Sequence, residues 1–192
     1  WQSLTPTQLA GVEAVAMDMW EPYVQSTLAH VPAAEDKIVH DPFHLVKAMN
    51  EAVNEVRKSE HRRLLAQGED ILKGTRQLWL YGLENVPAKQ AQRFEQVWTI
   101  NLATSRAWVI KEMFRNFWLC DTVKEAGKYF DKWYSRAIRS RLAPVKKVAR
   151  TCKSHLDHIL TFFTHRLTNG PIEGLNNAIQ GLIKKAFGYR NK

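Results

Sequence analysis

Residues 37–56, KIVHDPFHLVKAMNEAVNEV, decide the fold. Lys37 to His40 read as a short strand that ends at Asp41. Pro42 then suits the first position of a helix. From Phe43 onward, Leu45, Ala48, Met49, Ala52, Val53 and Val56 recur on one side of a long amphipathic helix that continues to Gln67. The unit is strand, carboxylate, helix. It has a counterpart upstream, where Val12 to Met17 (VEAVAM) reads as a buried strand ending at Asp18, bounded by Gly11 and by Glu21-Pro22. A short helix is expected over Pro22 to His30, Val31-Pro32 breaks it, and another short helix over Thr5 to Ala10 precedes the first strand. In sheets joined by helical connections, ligands bind at such strand ends.

Past Gln67 the sequence offers no further strand. Helical patterns cover Gln77 to Gly82, Ala88 to Leu102, Ala103 to Leu119, Thr122 to Ser140 and Ala143 to Thr164, punctuated by Gly82, Pro87, Cys120-Asp121, Leu142-Ala143-Pro144 and Asn169-Gly170. Trp79, Trp98, Trp108, Trp118 and Trp133 stand beside Leu, Ile and Phe on the apolar faces of these helices, which predicts core packing rather than base stacking. The expected fold class is mainly α with a small β component.

With 192 residues, 45% of them hydrophobic, the chain can bury one substantial core. The 28 Lys and Arg against 19 Asp and Glu give a net charge of +9, which favours a polyanionic partner such as nucleic acid or an anionic membrane surface. No apolar run is long enough for a membrane span and no signal sequence stands at Trp1. Cys120 and Cys152 form neither a metal-ligand spacing nor a disulfide framework, so a reducing compartment is expected. The opening at WQSLTPTQLAG, without Met, predicts a piece of a longer protein.

The stretch 168–191, TNGPIEGLNNAIQGLIKKAFGYRN, marks a helix start with Asn169 or Gly170 as N-cap and Pro171 at the first position. Ile172, Leu175, Ile179, Leu182, Ile183 and Ala186 fall on one side. Glu173, Asn176, Asn177, Gln180 and Lys184 fall on the other, so a core-packed helix aims one carboxylate, amides and a lysine into a common space. Glu173 could instead serve the helix dipole. Basic residues gather late in the chain: Arg136, Arg139, Arg141, Lys146, Lys147, Arg150 and Lys153, then Lys184, Lys185, Arg190 and Lys192. They read as a phosphate track or as solvated helix faces. Two carboxylates at strand ends and a third on a helix, in a basic protein, suit Mg²⁺ or Mn²⁺ chemistry on phosphodiesters. Each Asp has another reading, Asp41 as N-cap and Asp18 as a turn residue. Cys152 near His155 raises the further possibility of a thiol nucleophile, for which the sequence shows no activating environment.

The segments VAMDMWEPY (15–23), IVHDPFHLVKAMNEAVNEVR (38–57) and TNGPIEGLNNAIQGLIKKAFGYRN resemble, in order and spacing, the catalytic region of DDE transposases of bacterial insertion sequences, of the ISL-three type. The resemblance implies a partial ribonuclease H-like fold with about two strands, interrupted by an all-helical insertion. Residues 1–47 would form the partial core with the second Asp, 48–165 the insertion and 166–192 the helix with the catalytic Glu. It also implies metal-dependent DNA cleavage and strand transfer supported by two ions, Mg²⁺ or Mn²⁺. Asp18 matches the second Asp by strand order and Glu173 the Glu, both as metal ligands. Asp41 and His44 look like the Asp-x-x-His signature, and Asp41 stays open as the second Asp. Asn176, Asn177, Lys184, Lys185, Arg190, Lys146, Lys147 and Arg150 are the expected DNA contacts. The expected partners are transposon ends and target DNA, with no membrane and a homo-oligomer at full length. The expected location is the bacterial cytoplasm, at the nucleoid. No residue before Val12 offers the first Asp, so the chain alone is expected to be inactive. The alternative is a non-catalytic helical module that binds nucleic acid or protein.

Overall fold

Thr5 opens the first helix, α1 (Pro6–Ala10), through a capping box: its hydroxyl accepts from the Gln8 backbone N–H, and the Gln8 side chain accepts in return from the Thr5 N–H. Strand β1 (Val15–Met17) follows, then α2 (Glu21–His30), a single 3-10 turn over Ala34–Asp36, and strand β2 (Ile38–His40). The computed structural model describes residues 1–100, 102–168 and 170, and among these the sheet has two strands. They are parallel, with Val15 opposite Ile38, Ala16 opposite Val39 and Met17 opposite His40. The crossover through α2 is what a parallel pair requires. β1 is shorter than the expected Val12–Met17 because β2 is only three residues long, between the 3-10 turn and Asp41, and offers no more ladder. Met17, Val24, Val31, Ala34 and Ile38 make a small core beside the sheet.

Asp41 caps the long helix α3 (Pro42–Leu65), its carboxylate accepting from the Phe43 N–H at 2.8 Å. Leu45, Met49, Ala52, Val53 and Val56 form its buried stripe, at helical spacing. The expected boundary between 47 and 48 therefore falls inside one continuous helix. There follow α4 (Arg76–Leu80), α5 (Ala88–Trp98), α6 (Ala103–Phe117), α7 (Val123–Arg139) and α8 (Ala143–Ser154). α3 packs along α6 and α8, and α7 lies against both. Trp79, Trp108 and Trp133 are buried in this bundle and Trp118 is partly buried against it. Trp98 is the exception, 37% exposed at the end of α5. The fold is thus mainly α with a small β component.

Two buried charges tie the bundle together. Glu60, on α3, supplies the cap that Leu102 cannot, accepting from the backbone N–H groups of Ala103 and Thr104 and from the Thr104 hydroxyl at 2.6–2.8 Å. Lys111, fully buried on α6, donates to the carbonyls of Trp79, in the last turn of α4, and of Tyr81, just past it, and pairs with Glu112 at 2.9 Å. Burial lowers its pKa, and the Glu112 carboxylate opposes that shift.

The expected helix Ala143–Thr164 is broken into three: α8, α9 (Leu156–Leu160) and α10 (Phe162–His165). His155 leaves the helical region at φ −114°, ψ 20°. The break turns α9 and α10 onto β2, where the Thr161 hydroxyl donates to the Ile38 carbonyl and His165 Nε2 lies 2.9 Å from the Asp36 carbonyl. The Ile38 carbonyl of β2 and the Asp36 carbonyl of the 3-10 turn thereby gain side-chain partners.

Candidate metal centre at the strand ends

Both strands of the parallel pair point their C-terminal ends the same way. Because Met17 stands opposite His40, the next residues, Asp18 and Asp41, emerge side by side, and the Asp41 N–H donates to the Met17 carbonyl at 3.2 Å. Their environments then diverge. Asp41 is 2% exposed, with an oxygen committed to the Phe43 N–H. The Asp18 side chain is 50% exposed, and its Oδ1 lies 2.8 Å from His44 Nε2. His44 sits in the first turn of α3, three residues after the cap. That spacing carries its ring across to the neighbouring strand end, so the His of the Asp-x-x-His pattern meets Asp18.

Behind this pair, β2 contributes His40. It is fully buried, edge-on to His155 at 5.2 Å and to His158 at 5.4 Å between ring centroids. Burial first, and then repulsion from the two neighbouring imidazoles, lowers the His40 pKa to about 4. His158 is lowered as well, also chiefly by burial. His40 is therefore neutral at physiological pH. Nothing in the local sequence signals this trio, because the break at His155 creates it.

Cys152 is fully buried on α8, and burial pushes its thiol up to about 12. A thiol that remains protonated at neutral pH is no nucleophile, which removes that possibility.

On α8, Lys147 and Arg150 are exposed and Lys146 is half-buried. Lys147 helps line a cavity of about 180 Å³ between α3 and α8, together with Met19, Ala48, Glu51 and Glu55. Met19 directly follows Asp18 in the chain. Glu173, Asn176, Asn177, Lys184, Lys185 and Arg190 lie outside the described residues. Among the described residues, no group of three or more His, Cys, Asp or Glu is arranged to hold a metal ion, and no helix is long and apolar enough to cross a membrane.

The profile of a family described as Transposase, the ISL-three type of DDE transposase, matches residues 1–192. The chain belongs to this transposase family. The transposase for insertion sequence element IS1001 of Bordetella parapertussis is 30% identical over 195 residues, covering 100% of this chain and 48% of that relative. The transposase for insertion sequence element IS1557 of Mycobacterium tuberculosis, in strains CDC 1551 and H37Rv, is 28% identical over 176 residues, covering 79% of this chain and 39% of the relative. The chain thus spans less than half the length of these transposases. No solved structure matches it.

Proposed function

We propose that this transposase chain carries two of the three carboxylates of a DDE site, Asp18 and Glu173, on a partial ribonuclease H-like core. In this reading the site cleaves the ends of an insertion sequence and joins them to target DNA. The observation that carries it is the pair Asp18–His44: a half-exposed carboxylate at a parallel strand end, held at 2.8 Å by an imidazole. A hard divalent cation, Mg²⁺ or Mn²⁺, suits such an oxygen ligand, and Asp18 has the exposure to accept one. Asp41 shares the strand end and is buried as the cap of α3, which favours Asp18 as the second Asp. When bound, two such ions would activate the attacking oxygen and stabilise the leaving one on the phosphodiester.

The chain's own residues have distinct tasks. Asp18 and Glu173 hold the cations. His44 fixes the rotamer of Asp18 through Oδ1. Asp41 holds α3, and therefore His44, in register with the strand ends. Lys147 reaches the cavity beside Met19, and with Lys146 and Arg150 it guides the DNA backbone through phosphate contacts that carry no sequence information. Asn176, Asn177, Lys184, Lys185 and Arg190 accompany Glu173 on the same DNA. The protein acts on transposon ends as a homo-oligomer in the bacterial cytoplasm, at the nucleoid.

Mn²⁺ titration calorimetry on the full-length protein tests the reading, with Asp18→Ala, Asp41→Ala and Glu173→Ala, alongside nicking of a plasmid that carries the insertion-sequence ends. Loss of Mn²⁺ binding and of nicking in Asp18→Ala and Glu173→Ala is the expected result. Loss in Asp41→Ala with wild-type behaviour in Asp18→Ala would transfer the role to Asp41. Nicking retained in all three would overturn the catalytic reading and leave a helical binding module whose acidic residues serve as caps.

A further inference from the structure

Charge is divided unevenly along this chain. Residues 1–36 carry five acidic side chains, Glu13, Asp18, Glu21, Glu35 and Asp36, and no Lys or Arg, whereas the remaining residues carry all 28 Lys and Arg against 14 Asp and Glu. All five of these acids are exposed. Among them, where α2 begins, Trp20 and Tyr23 are 53% and 57% exposed and meet edge to face, with centroids 4.4 Å apart. Glu21 stands between them in the chain, and the Tyr23 N–H donates to the Trp20 carbonyl at 2.9 Å, which fixes the turn. The acidic end of the molecule thus presents an apolar knob.

The opposite combination occurs on the bundle. Between α6 and α7 lies an open cavity of about 780 Å³, within the range that accepts ligand-sized groups. Val109, Ile110 and Met113 give it an apolar floor, and its rim carries Arg106, Lys132, Arg136 and Arg139 against Asp131. The four cations are exposed, and the ion pairs among the described residues involve other side chains. Arg139 is braced on its own helix, its guanidinium donating to the Ser135 carbonyl at 3.1 Å and to the Ser135 hydroxyl at 2.6 Å. The residues that line this cavity all come from α6, α7 and Ser140, so the acidic end of the same copy does not fill it.

We propose that the groove between α6 and α7 of one copy receives the Trp20–Tyr23 knob of a second copy of this chain, with Glu21 meeting the cations of the rim. Charge complementarity selects the occupant. In a specific interface an apolar centre supplies the contact, while opposite charges around it steer the encounter and fix the register. The knob and the groove match on both counts. Residues 171–192 do not match, because Glu173 is outnumbered there by Lys184, Lys185, Arg190 and Lys192, the same sign as the rim. A DNA backbone suits the rim but offers phosphate and sugar to a floor of Val109, Ile110 and Met113. The proposal deepens the homo-oligomer reading and rests on it.

The test is disulfide cross-linking between two variants of the full-length protein, Tyr23→Cys and Met113→Cys, mixed in equal amounts under a mild oxidant. The mixture should give a cross-linked dimer that neither variant gives alone. Arg136→Glu in the Met113→Cys copy, or Trp20→Ala in the Tyr23→Cys copy, should lower the yield about tenfold at unchanged melting temperature. Glu21→Arg in the Tyr23→Cys copy should restore the yield lost to Arg136→Glu, since the pair is then reversed in sign. Absence of the cross-link from the mixture, with both variants melting as the wild type, would overturn the interface. So would a yield that ignores the charge reversals. Fluorescence anisotropy with a duplex probe covers the other occupant: weaker DNA binding by Arg136→Glu with an undiminished cross-link would assign the groove to DNA and overturn the proposal. Sedimentation of the wild type separates the two readings. A monomer at every concentration sinks both, whereas an oligomer without the cross-link sinks this interface alone.

Discussion

The carboxylate of Glu60, on α3, closes the N-terminus of α6 by accepting the Thr104 backbone N–H at 2.7 Å and the Thr104 hydroxyl at 2.6 Å. A buried acid thus does for α6 what a Ser or Asp at the cap position would do locally, and it welds the two most heavily packed helices of the bundle. Glu60→Ala strands three donors in a dry environment and should cost about 3 kcal/mol of unfolding free energy. Glu60→Gln keeps an acceptor and should cost about 1 kcal/mol. Urea unfolding at neutral pH reads both.

The His40 trio makes stability depend on pH. In the unfolded chain His40 titrates near its ordinary 6.5, and in the folded chain at about 4. Between these values the unfolded state binds the additional proton, so stability is complete above about pH 6.5 and falls as pH drops toward 4. The loss at the lower limit is about 3 kcal/mol by linkage. The lowered His158 acts in the same direction. In a series of urea melts from pH 7.5 to 4.5, His40→Leu should show a visibly flatter dependence than the wild type.

Asp18 and Asp41 should separate into a functional and a structural residue. Asp41→Ala removes the cap of α3 and should lower stability by about 1 kcal/mol. Asp18→Ala removes a half-exposed group and should change stability by about 0.5 kcal/mol or less. Thermal denaturation of the two variants measures the difference, and the reverse order would exchange their roles.

Both cysteines are buried, and burial raises both thiols, Cys152 to about 12. A disulfide reagent at pH 8 should label neither quickly in the folded protein and both on addition of denaturant. Rapid labelling of native Cys152 would show that α8 opens locally.

Much of the fold was legible because its signals are local. Pro22 and Pro42 mark where helices begin, Asp41 caps α3, and the spacing of Leu45, Met49, Ala52 and Val56 gives the buried stripe of that helix. The break at His155 was not legible. No Gly or Pro stands there, and the chain departs from the helix to bring Thr161 to the carbonyl of Ile38, a partner far away in sequence. The Asp18–His44 contact was invisible for a related reason: both residues were candidates, and their meeting depends on the parallel register of β1 with β2. Glu60 and Lys111 escaped because an amphipathic pattern assigns charged residues to the solvent face. Their burial follows from helix ends elsewhere that needed an acceptor and a donor.

The hydroxyl of Thr161 on the outer side of β2 gives the sheet a direction of growth. With the Ile38 carbonyl engaged by Thr161 and the Asp36 carbonyl by His165, that border is sealed by α9 and α10. Among the described residues, β1 pairs on one side alone. Any polypeptide that extends this sheet by backbone hydrogen bonds therefore docks along β1, and a strand that runs parallel to it ends beside Asp18.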